Sequence, residues 1–523
     1  MLRHRGPDHT GFAVVGRTLL GHTRLAIVDP ESGMQPTVAR DPTTGARHGW
    51  AVNGEIYNHE ALRASPDLAG AALETRCDCE VIGHLVERLG VLEACRRLDG
   101  VFAFVWAHED GRWAVARDPV GVNPLYYARG PDGRLFFASE LKAFEQLGDP
   151  EVLAPRLFPP GHVWWEGAAG DSPVPFYNFE AWEAPPLHAA EPARLAELLE
   201  AAVVKRLMSD REVGVFLSGG LDSSLVAGLV AKHQRARGVA VKSFSIGLEG
   251  APDLEHARAV AAHLGTDHHE VHFTLEEGLR ALPDVVRAIE TVDTTSIRAS
   301  TPMWLLSKYV RENTNVKVLY SGEGADEMLC GYLYFHNSPT PEEGRLESAR
   351  RVRELHQYDC QRANKSTSNW GLEVRVPFLD LDLLHYVMRA DGASKLPVRG
   401  VEKHVLREAF AGTGLIPDTV LRRQKEQFSD GVGFSWVDAL RTTAAREPDT
   451  ARESAAIEAA FGRRPTGPEQ RRVMRLFAEA FNAQACASVG GETATWRPCW
   501  NEDPDPSGRA VSAHHQTWAS RDK

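Results

Sequence analysis

Residues 213–224 of the chain read VGVFLSGGLDSS, and this stretch decides the fold of the central part of the sequence. The apolar residues 213–217 predict a buried strand, and the apolar spacing in residues 223–233 predicts a helix. Between them, Gly219 and Gly220 let the main chain approach a ligand closely, and the N–H groups of a helix N-terminus bind anions. The stretch therefore predicts a phosphate-binding turn at the carboxyl end of a strand.

The composition of this turn narrows the kind of phosphate chemistry. The pattern G-x-x-x-x-G-K-[ST] is absent, so recognition of pyrophosphate is favoured over γ-phosphate transfer of that type. Asp222 adds a hard oxygen ligand that suits Mg²⁺. The alternative is an ordinary helix entry with Ser and Asp as capping residues.

Helix-like and strand-like segments alternate on both sides of the turn. Strands separated by helices of this length form βαβ units around a parallel sheet, which binds ligands at the carboxyl ends of its strands. The sequence therefore predicts an α/β fold here. The further predicted strands are residues 242–248, 269–273 and 316–320, and the predicted helices are residues 193–208, 254–264, 275–290 and 301–313.

A second glycine turn, SGEGADE at residues 321–327, follows the last of these strands. Its three carboxylates, Glu323, Asp326 and Glu327, repel one another unless a cation or a reaction partner takes up their charge. A plain surface loop would also tolerate them. Because both turns end strands of one predicted sheet, we expect Asp326 to share a Mg²⁺ ion with the carboxylate of the first turn.

The first third of the chain is β-rich. This pattern predicts an α+β domain of antiparallel strands. Strands are predicted at residues 11–15, 24–28, 50–52, 101–107 and 113–116, a hairpin around residues 130–133, and one helix at residues 80–98.

A linker is predicted at residues 180–192, which are rich in Pro and acidic residues. We therefore expect a first domain at residues 1–180, a second domain at residues 193–485 and a loosely ordered tail at residues 486–523, where Pro, Gly and charged residues show no periodicity.

Composition excludes several classes of protein. The chain has 523 residues, with 59 Lys and Arg against 71 Asp and Glu, a net charge of −12. Without a long basic run to oppose that field, nucleic acid is not an expected partner. Seven cysteines are too few and too odd in number for a disulfide framework, which favours a reducing, cytoplasmic compartment. Neither a signal-peptide core nor a long apolar span is present, so no membrane contact is expected.

The motifs taken together resemble those of glutamine-dependent asparagine synthetases. In the second half, SGGLDSS and SGEGADE are joined by FSIGL, YDCQRANK, EVRVPFLD, EKHVLRE and RQKEQFSDGVG. In the first half, RHRGPD, RLAIVD, VNGEIYN, DCE and ARDPVG match the glutaminase part of the family. The resemblance covers residues 3–485 and resumes at residues 505–511. It implies two domains: an antiparallel amidotransferase sandwich of the N-terminal-nucleophile type, truncated here, and a parallel-sheet ATP-pyrophosphatase domain.

The resemblance implies a synthetase reaction with ATP and Mg²⁺ in the second domain. Aspartate's side-chain carboxylate attacks the α-phosphorus to give β-aspartyl-AMP and pyrophosphate, and ammonia then displaces AMP. Glu323 is implied as the base for ammonia, and Lys425 as the cation at the α-phosphate. Arg362 and Arg375 rank lower as candidate site residues, since an arginine in a motif forms a structural ion pair as often as it contacts a ligand. The implied contacts of ATP and pyrophosphate are Leu217, Ser218, Gly219, Gly220, Asp222, Ser223, Ile246, Ser321 and Gly322, and the implied Mg²⁺ ligands are Asp222 and Asp326.

In the first domain, the resemblance implies that four residues clamp glutamine: Arg24, Asn53, Glu55 and Asp78. Cys77 and Cys79 flank the last of these, but two thiols without a second Cys or His pair at ligand spacing make a metal site a weak interpretation. His268-His269 lacks a metalloprotease pattern. We interpret both pairs as structural.

The chain departs from the family at its start. The family's glutaminase nucleophile is a Cys exposed by Met removal, whereas residue 2 here is Leu2. We therefore expect glutamine hydrolysis to fail as written, ammonia-dependent synthesis to survive, and the first sheet to have an unpaired edge. Either the start was chosen too late, which we favour because the glutamine residues would otherwise have little use, or the member is truly shortened and uses free ammonia. A late start would also hide a targeting peptide.

Two other functions stay open. A related ATP-pyrophosphatase with another acid substrate, such as a β-lactam synthetase, shares the SGGxDS turn. A non-catalytic member of the family would keep the fold, although the intact Asp222, Glu323, Asp326 and Lys425 argue against it. The family often forms homodimers through the first domain, so the resemblance implies a homodimer here.

Overall fold

A five-stranded parallel sheet is the centre of the second half of the chain, as the alternating pattern predicts. The computed structural model describes residues 1–147, 155–424, 431–433, 435–448, 450–490 and 500. In this sheet the strand order is β14-β13-β12-β15-β16, and every pair of neighbours is parallel. The strands are β12 (Val213–Phe216), β13 (Lys242–Gly247), β14 (Asp267–His272), β15 (Val318–Tyr320) and β16 (Glu373–Arg375).

The central strand β12 is the predicted strand of the first glycine turn, and all four of its residues are buried. It pairs with β13 on one side and with β15 on the other, so the turns that follow β12 and β15 leave the same edge of the sheet. Strand β16 was not predicted. It has three residues, two of them charged, and is too short and too polar for a pattern to reveal it.

Helices alternate with the strands of this sheet and continue after its last strand. They are Pro192–Lys205, Leu221–Ala236, Pro252–Leu264, Leu275–Ile289, Thr294–Asn313, Ala325–Met328, Pro341–Glu354, Asp359–Ser368, Leu381–Met388, Gly392–Lys395, His404–Phe410, Asp418–Leu421, Ser435–Arg446, Ala451–Phe461, Pro468–Ala480 and Ala483–Gly490. The predicted helix 301–313 begins earlier, at Thr294, because the Asp293 carboxylate caps it by accepting a hydrogen bond from the Ser296 N–H at 2.7 Å.

The first part of the chain consists of antiparallel sheets, which confirms the predicted α+β class. A six-stranded sheet has the order β11-β10-β6-β5-β4-β3, a three-stranded sheet has the order β8-β7-β9, and β1 pairs with β2. The strands are β1 (His9–Val15), β2 (Thr18–Arg24), β3 (Thr37–Arg40), β4 (Arg47–Ile56), β5 (Gly100–His108), β6 (Trp113–Arg117), β7 (Tyr126–Arg129), β8 (Leu135–Ala138), β9 (Arg156–Leu157), β10 (His162–Trp165) and β11 (Val174–Pro175).

Two elements of this part differ from the sequence prediction. The strand predicted at residues 24–28 is wrong, because β2 ends at Arg24, which pairs with His9 of β1. The helix predicted at residues 80–98 is two helices, Glu80–Leu89 and Val91–Arg97. Gly90 between them has a φ of +76°, which ends the first helix. Two shorter helices are His59–Arg63 and Glu180–Glu183.

Helix Glu80–Leu89 packs closely on the six-stranded sheet. A Cβ on Gly83 would overlap the ring of Trp50, which lies on β4 and is fully buried. The close approach is therefore possible only with glycine at this helix position. The packing fixes the turn before the helix, which carries Asp78, against the strand that carries Asn53 and Glu55.

Helix Asp359–Ser368 lies between the two halves of the chain, and all ten of its residues are buried. Arg5 from the first part reaches it and donates hydrogen bonds to Ser368 at 2.7 Å and to Asn364 at 2.8 Å. The division at residues 1–180 and 193–485 stays a prediction. Helix Ala483–Gly490 runs past residue 485, and most of the predicted tail, residues 491–499 and 501–523, lies outside the described residues.

Within the part of the chain that the structure describes, none of the helices combines the length and the apolar character needed to span a bilayer.

Candidate functional site

A cleft of about 1200 Å³, here called the first cleft, opens at the carboxyl ends of β12, β13 and β15. Both glycine turns form its walls, as expected for ligand sites of parallel sheets. Ten of the predicted residues line it: Leu217, Ser218, Gly220, Asp222, Ser223, Ile246, Ser321, Gly322, Glu323 and Asp326. Gly219 is not among the lining residues, and its carbonyl accepts a hydrogen bond from Arg423 at 3.1 Å.

The first turn has the shape of a main-chain cradle. Gly219 has a φ of +75°, and a Cβ there would lie 2.5 Å from the Ala257 nitrogen, so glycine is required. The Gly220 N–H donates to Ser218 Oγ at 3.3 Å, and the hydroxyls of Ser218 and Ser223 are 2.9 Å apart. The 16-residue helix Leu221–Ala236 starts here, so its N-terminus faces the cleft and favours an anion.

The second turn packs directly on the first. A Cβ on Gly322 would lie 2.9 Å from the Ser223 nitrogen, so only glycine allows the two turns to touch. The Ser321 N–H donates to the Arg375 carbonyl at 2.9 Å, which ties this turn to the neighbouring strand β16. The sheet therefore brings Asp222 and Asp326 to one side of the cleft, as predicted.

Lys403 is a cleft residue that the sequence interpretation missed. Its side chain is buried, and its ammonium group contacts Asp222 Oδ2 and lies 2.6 Å from Asp326 Oδ1. It lies in the EKHVLRE motif, but no spacing in the sequence indicates which of its charged residues reaches the cleft. The two carboxylates fit a hard cation, because Asp222 Oδ1 is buried and has no hydrogen-bond partner among the described residues.

Glu323 contacts a polar group of side chains that also line the first cleft. Its carboxylate contacts the guanidinium of Arg362, which also lies 2.9 Å from Asp359. Burial alone would lower the pKa of Arg362, but the charges of Asp359 and Glu323 raise that pKa above its ordinary value. Arg362, which ranked low in the sequence analysis, therefore holds the carboxylate of Glu323 directly.

Glu327 lies deeper in the same group and was not predicted to have a role. Burial raises the pKa of Glu327 to about 8, with a further contribution from the charges of Asp359 and Asp326. Tyr332 contacts Glu327 through its hydroxyl, which also lies 3.4 Å from Asp359. These side chains thus form an extended polar network in the wall of the first cleft.

Lys425 lies outside the described residues, so its predicted role at the α-phosphate stays a prediction. The residues just before it, Arg423 and Gln424, line the first cleft. Besides its bond to Gly219, Arg423 forms an ion pair with Asp253 at 2.7 Å. The chain therefore reaches the first glycine turn immediately before residue 425.

A second cleft, of about 1020 Å³, is lined by all four residues predicted to clamp glutamine. Asn53 and Glu55 are two positions apart on β4, so their side chains share a face of the strand. Asp78 accepts a hydrogen bond from the Ile56 N–H at 2.7 Å. Arg24 donates to the carbonyls of residues 28–30, at 3.3, 2.5 and 3.0 Å in that order.

Two buried polar groups of this second cleft lack partners. Asn53 Nδ2 and His22 Nδ1 have no hydrogen-bond partner among the described residues, which is typical of groups that meet a ligand. Burial is the main cause that raises the pKa of Glu55 well above its ordinary range, and the charges of Glu373 and Asp78 add to it. The second cleft therefore has an excess of acidic groups.

The two clefts are separated by helix Asp359–Ser368. Asp359 and Arg362 on this helix line the first cleft, whereas Asn364, Thr367 and Ser368 line the second. Arg375 also joins them, since it forms an ion pair with Glu55 at 3.3 Å. Its own carbonyl accepts the bond from Ser321 in the first cleft.

Both members of the histidine pair interpreted as structural contact hydroxyl groups of the protein. His268 lies 2.8 Å from Ser243 Oγ and 3.1 Å from Ser245 Oγ, and His269 lies 3.2 Å from the Tyr309 hydroxyl. Around the other pair, Cys77, Asp78 and Cys79 place their ligand atoms within 4.8 Å of one another. The sequence analysis did not anticipate this convergence.

Comparison with known proteins gives matches over nearly the whole chain. The family described as "Asparagine synthase" matches residues 194–351 and 338–484, and the family described as "Glutamine amidotransferase domain" matches residues 1–154. "Asparagine synthetase [glutamine-hydrolyzing] 1" of Arabidopsis thaliana is 43% identical over 540 residues, which cover 98% of this chain and 90% of that protein. "Probable asparagine synthetase [glutamine-hydrolyzing]" of Dictyostelium discoideum is 43% identical over 550 residues, 99% of this chain and 95% of that protein.

Proposed function

The chain belongs to the asparagine synthase family, and we propose that it is an asparagine synthetase that converts L-aspartate, ATP and ammonia into L-asparagine, AMP and pyrophosphate. The observation that carries the proposal is the convergence of both glycine turns, Asp222, Asp326 and Glu323 on the first cleft. The 43% identity to relatives that are named asparagine synthetases disfavours another acid substrate and a non-catalytic member.

ATP lies across the two glycine turns in this proposal. The adenine packs on Leu217 and Ile246, which are buried at the ends of β12 and β13. The β- and γ-phosphates lie at the N-terminus of helix Leu221–Ala236, where main-chain N–H groups and the hydroxyls of Ser218 and Ser223 donate to them. Gly219 and Gly220 shape that cradle, and Ser321 and Gly322 contact the nucleotide through their main chain.

The cation of this reaction is Mg²⁺, held by Asp222 and Asp326. When bound, Mg²⁺ neutralises charge on the pyrophosphate leaving group. Lys403 already contacts both carboxylates, so it keeps them together and adds a positive charge on the same side of the cleft.

In the first step, an oxygen of aspartate's side-chain carboxylate forms a bond to the α-phosphorus, and the bond from that phosphorus to the bridging oxygen of the β-phosphate breaks. Pyrophosphate leaves, and β-aspartyl-AMP remains. Donors at the helix N-terminus stabilise the developing negative charge of the leaving group. Lys425 is the proposed cation at the α-phosphate, supported by the neighbouring Arg423, which lies at the first turn.

In the second step, ammonia attacks the β-carbonyl carbon, and the bond from that carbon to AMP breaks. The nitrogen loses a proton to Glu323, which lies on the second turn beside Arg362. The Arg362 guanidinium contacts this carboxylate and fixes its position on the second turn. Glu323 is therefore the base, and Arg362 positions it.

The second cleft is the proposed glutamine site. Asp78 and Glu55 bind the α-ammonium group, Arg24 the α-carboxylate, and the amide of Asn53 faces the reacting carbonyl oxygen. The unpartnered Nδ2 of Asn53 supports this assignment. Ammonia from this cleft or from solution enters the same second step. We also expect a cytoplasmic protein, which its six described free thiols support, and a homodimer, which analytical ultracentrifugation tests.

The decisive test is an incubation of the purified chain with L-aspartate, Mg-ATP and ammonium chloride. We expect asparagine, AMP and pyrophosphate in equal amounts, and no AMP when aspartate is omitted. Asp222→Asn abolishes the reaction, whereas the matched control Asp284→Asn, on the exposed side of helix Leu275–Ile289, leaves it unchanged. AMP release that does not depend on aspartate would contradict the proposal.

A further inference from the structure

We infer that Cys77, Asp78 and Cys79 form a binding site for a thiophilic divalent cation of the Zn²⁺ class in the wall of the second cleft. The two sulfur atoms and a carboxylate oxygen lie within 4.8 Å of one another, and all three residues are buried. The sequence analysis discounted a metal because it found only two thiols. The structure adds the carboxylate between them as a third ligand.

The distances suit one tetrahedral ion. With bonds of about 2.3 Å from zinc to sulfur, two thiolate ligands stand roughly 3.8 Å apart. No pair of the three ligand atoms exceeds this separation by more than about 1 Å. All three residues line the second cleft, so the fourth coordination position faces open space and can hold water.

The local backbone explains why three consecutive side chains converge. In a strand, Cys77 and Cys79 would face away from Asp78. Here the chain instead turns into helix Glu80–Leu89, with the Glu80 N–H donating to the Cys77 carbonyl at 3.2 Å. Cys79 has helical φ and ψ of −72° and −12°. The turn therefore gathers both thiols around the carboxylate.

Groups around the site hold two of the three ligands in place. The Ile56 N–H donates to one oxygen of Asp78 at 2.7 Å. A Cβ on Gly33 would lie 2.7 Å from the Cys77 Cβ, so this segment packs tightly against the cysteine. Such supporting contacts orient metal ligands and are worth 10- to 100-fold in affinity.

Binding of the cation displaces the two thiol protons to solvent, and two metal–sulfur bonds and one metal–oxygen bond form. The bound ion occupies the carboxylate of Asp78. It therefore competes with L-glutamine, a consequence that rests on the proposed binding of the glutamine α-ammonium group by Asp78. The proposed metal site does not involve the first cleft, where the candidate cation ligands are the carboxylates of Asp222 and Asp326.

Titration of the reduced, metal-free chain with Cd²⁺ tests the site, because cadmium thiolates give an ultraviolet charge-transfer band that oxygen ligands do not. We expect one Cd²⁺ ion with this band per chain, and competition by Zn²⁺. In Cys77→Ser/Cys79→Ser the affinity falls by about 100-fold or more, and the band disappears. Cys95→Ser is the matched control, since this buried cysteine lies on helix Val91–Arg97 outside the cluster, and it leaves the titration unchanged.

Circular dichroism tests whether the double variant is folded. If it is not, the two single serine variants are titrated instead, and each is expected to bind Cd²⁺ more weakly than the parent chain. A titration that is the same in the parent chain and in the folded cysteine variants overturns the metal site. If the band depends on both cysteines but L-glutamine does not weaken Cd²⁺ binding, the metal site stands and the proposed glutamine role of Asp78 is contradicted. In Asp78→Asn we expect the charge-transfer band to remain, because both thiolates are present, and the affinity for Cd²⁺ to fall by at least about 10-fold.

Discussion

The ammonium group of Lys403 lies 2.6 Å from Oδ1 of Asp326. The same ammonium also contacts Asp222, which is 181 residues away in the sequence. The two glycine turns are therefore joined by a cation from a third segment of the chain. In the proposed reaction this cation lies on the side where pyrophosphate leaves.

Lys403→Met tests this connection between the two glycine turns. We expect pyrophosphate release to fall by about 100-fold, because the variant removes a preorganised positive charge from the leaving-group side of the cleft. The free energy of unfolding also falls, by about 3 kcal/mol, since one partner of a buried ion pair is lost. Steady-state kinetics and thermal unfolding measure the two effects.

Lys232→Met is the matched control for that variant. Lys232 is half exposed and pairs with Glu200 on the surface, where such pairs contribute less than about 1 kcal/mol. Its kinetics and melting temperature stay close to those of the parent chain. A Lys403→Met protein with unchanged turnover would show that the ammonium has no part in the reaction.

Glu323→Gln separates the two proposed steps. We expect asparagine formation to fall by about 100-fold or more, because the amide cannot take the proton from ammonia. Exchange of labelled pyrophosphate into ATP, which reports only the first step, persists. Glu276→Gln, at an exposed helix position, changes neither rate.

Equal loss of both activities in Glu323→Gln would place the residue in nucleotide binding instead. Arg362→Lys is a second variant for this comparison, because it retains a positive charge beside Glu323 but not the planar donor group. We expect Arg362→Lys to lower asparagine formation more than pyrophosphate exchange.

The parallel sheet and the cleft were predictable because their signals are local. An apolar strand followed by a glycine turn identifies each half of the first cleft. By contrast, Asn53 and Glu55 were identified only through the family resemblance, because the predicted strand of residues 50–52 ends before them. Lys403 could not be found in this way. Its place depends on how helix His404–Phe410 packs, and a lysine in sequence carries no mark of its distant partners.

The errors of the sequence analysis also have local causes. Gly90 splits the predicted helix 80–98, because a glycine with φ of +76° interrupts an apolar pattern that continues on both sides. The cluster of Cys77, Asp78 and Cys79 was discounted because spacing rules for metal sites look for pairs of Cys and His. Here the turn before a helix brings the side chains of three consecutive residues together. Both features depend on backbone conformation, which composition does not reveal.

Gly83→Ala tests the packing that holds the second cleft together. A methyl group at this position would overlap the Trp50 ring, so we expect the free energy of unfolding to fall by about 1–3 kcal/mol. Gly467→Ala is the matched control, because a Cβ there has no neighbour within 4 Å and its backbone is extended. Thermal unfolding measures both variants, and equal melting temperatures would contradict the tight approach.

Lys395 gives a prediction about pH. It is fully buried, its ammonium group lies 3.4 Å from Ser348 Oγ, and burial lowers the pKa of Lys395 from 10.5 to about 8. Between pH 10.5 and 8 the unfolded chain binds a proton that the folded chain does not, so stability falls as the pH drops through this range and stays at the lower value below pH 8.

Lys395→Met removes this dependence. At pH 7 we expect the variant to be more stable than the parent chain by up to about 3 kcal/mol, less what the lost contact with Ser348 contributes. Near pH 10 the difference shrinks towards zero or reverses, because the parent lysine is neutral in the folded state. Scanning calorimetry of both proteins at pH 7 and pH 10 measures the change. A difference in melting temperature that is the same at both pH values would mean that the buried lysine titrates as it does in water.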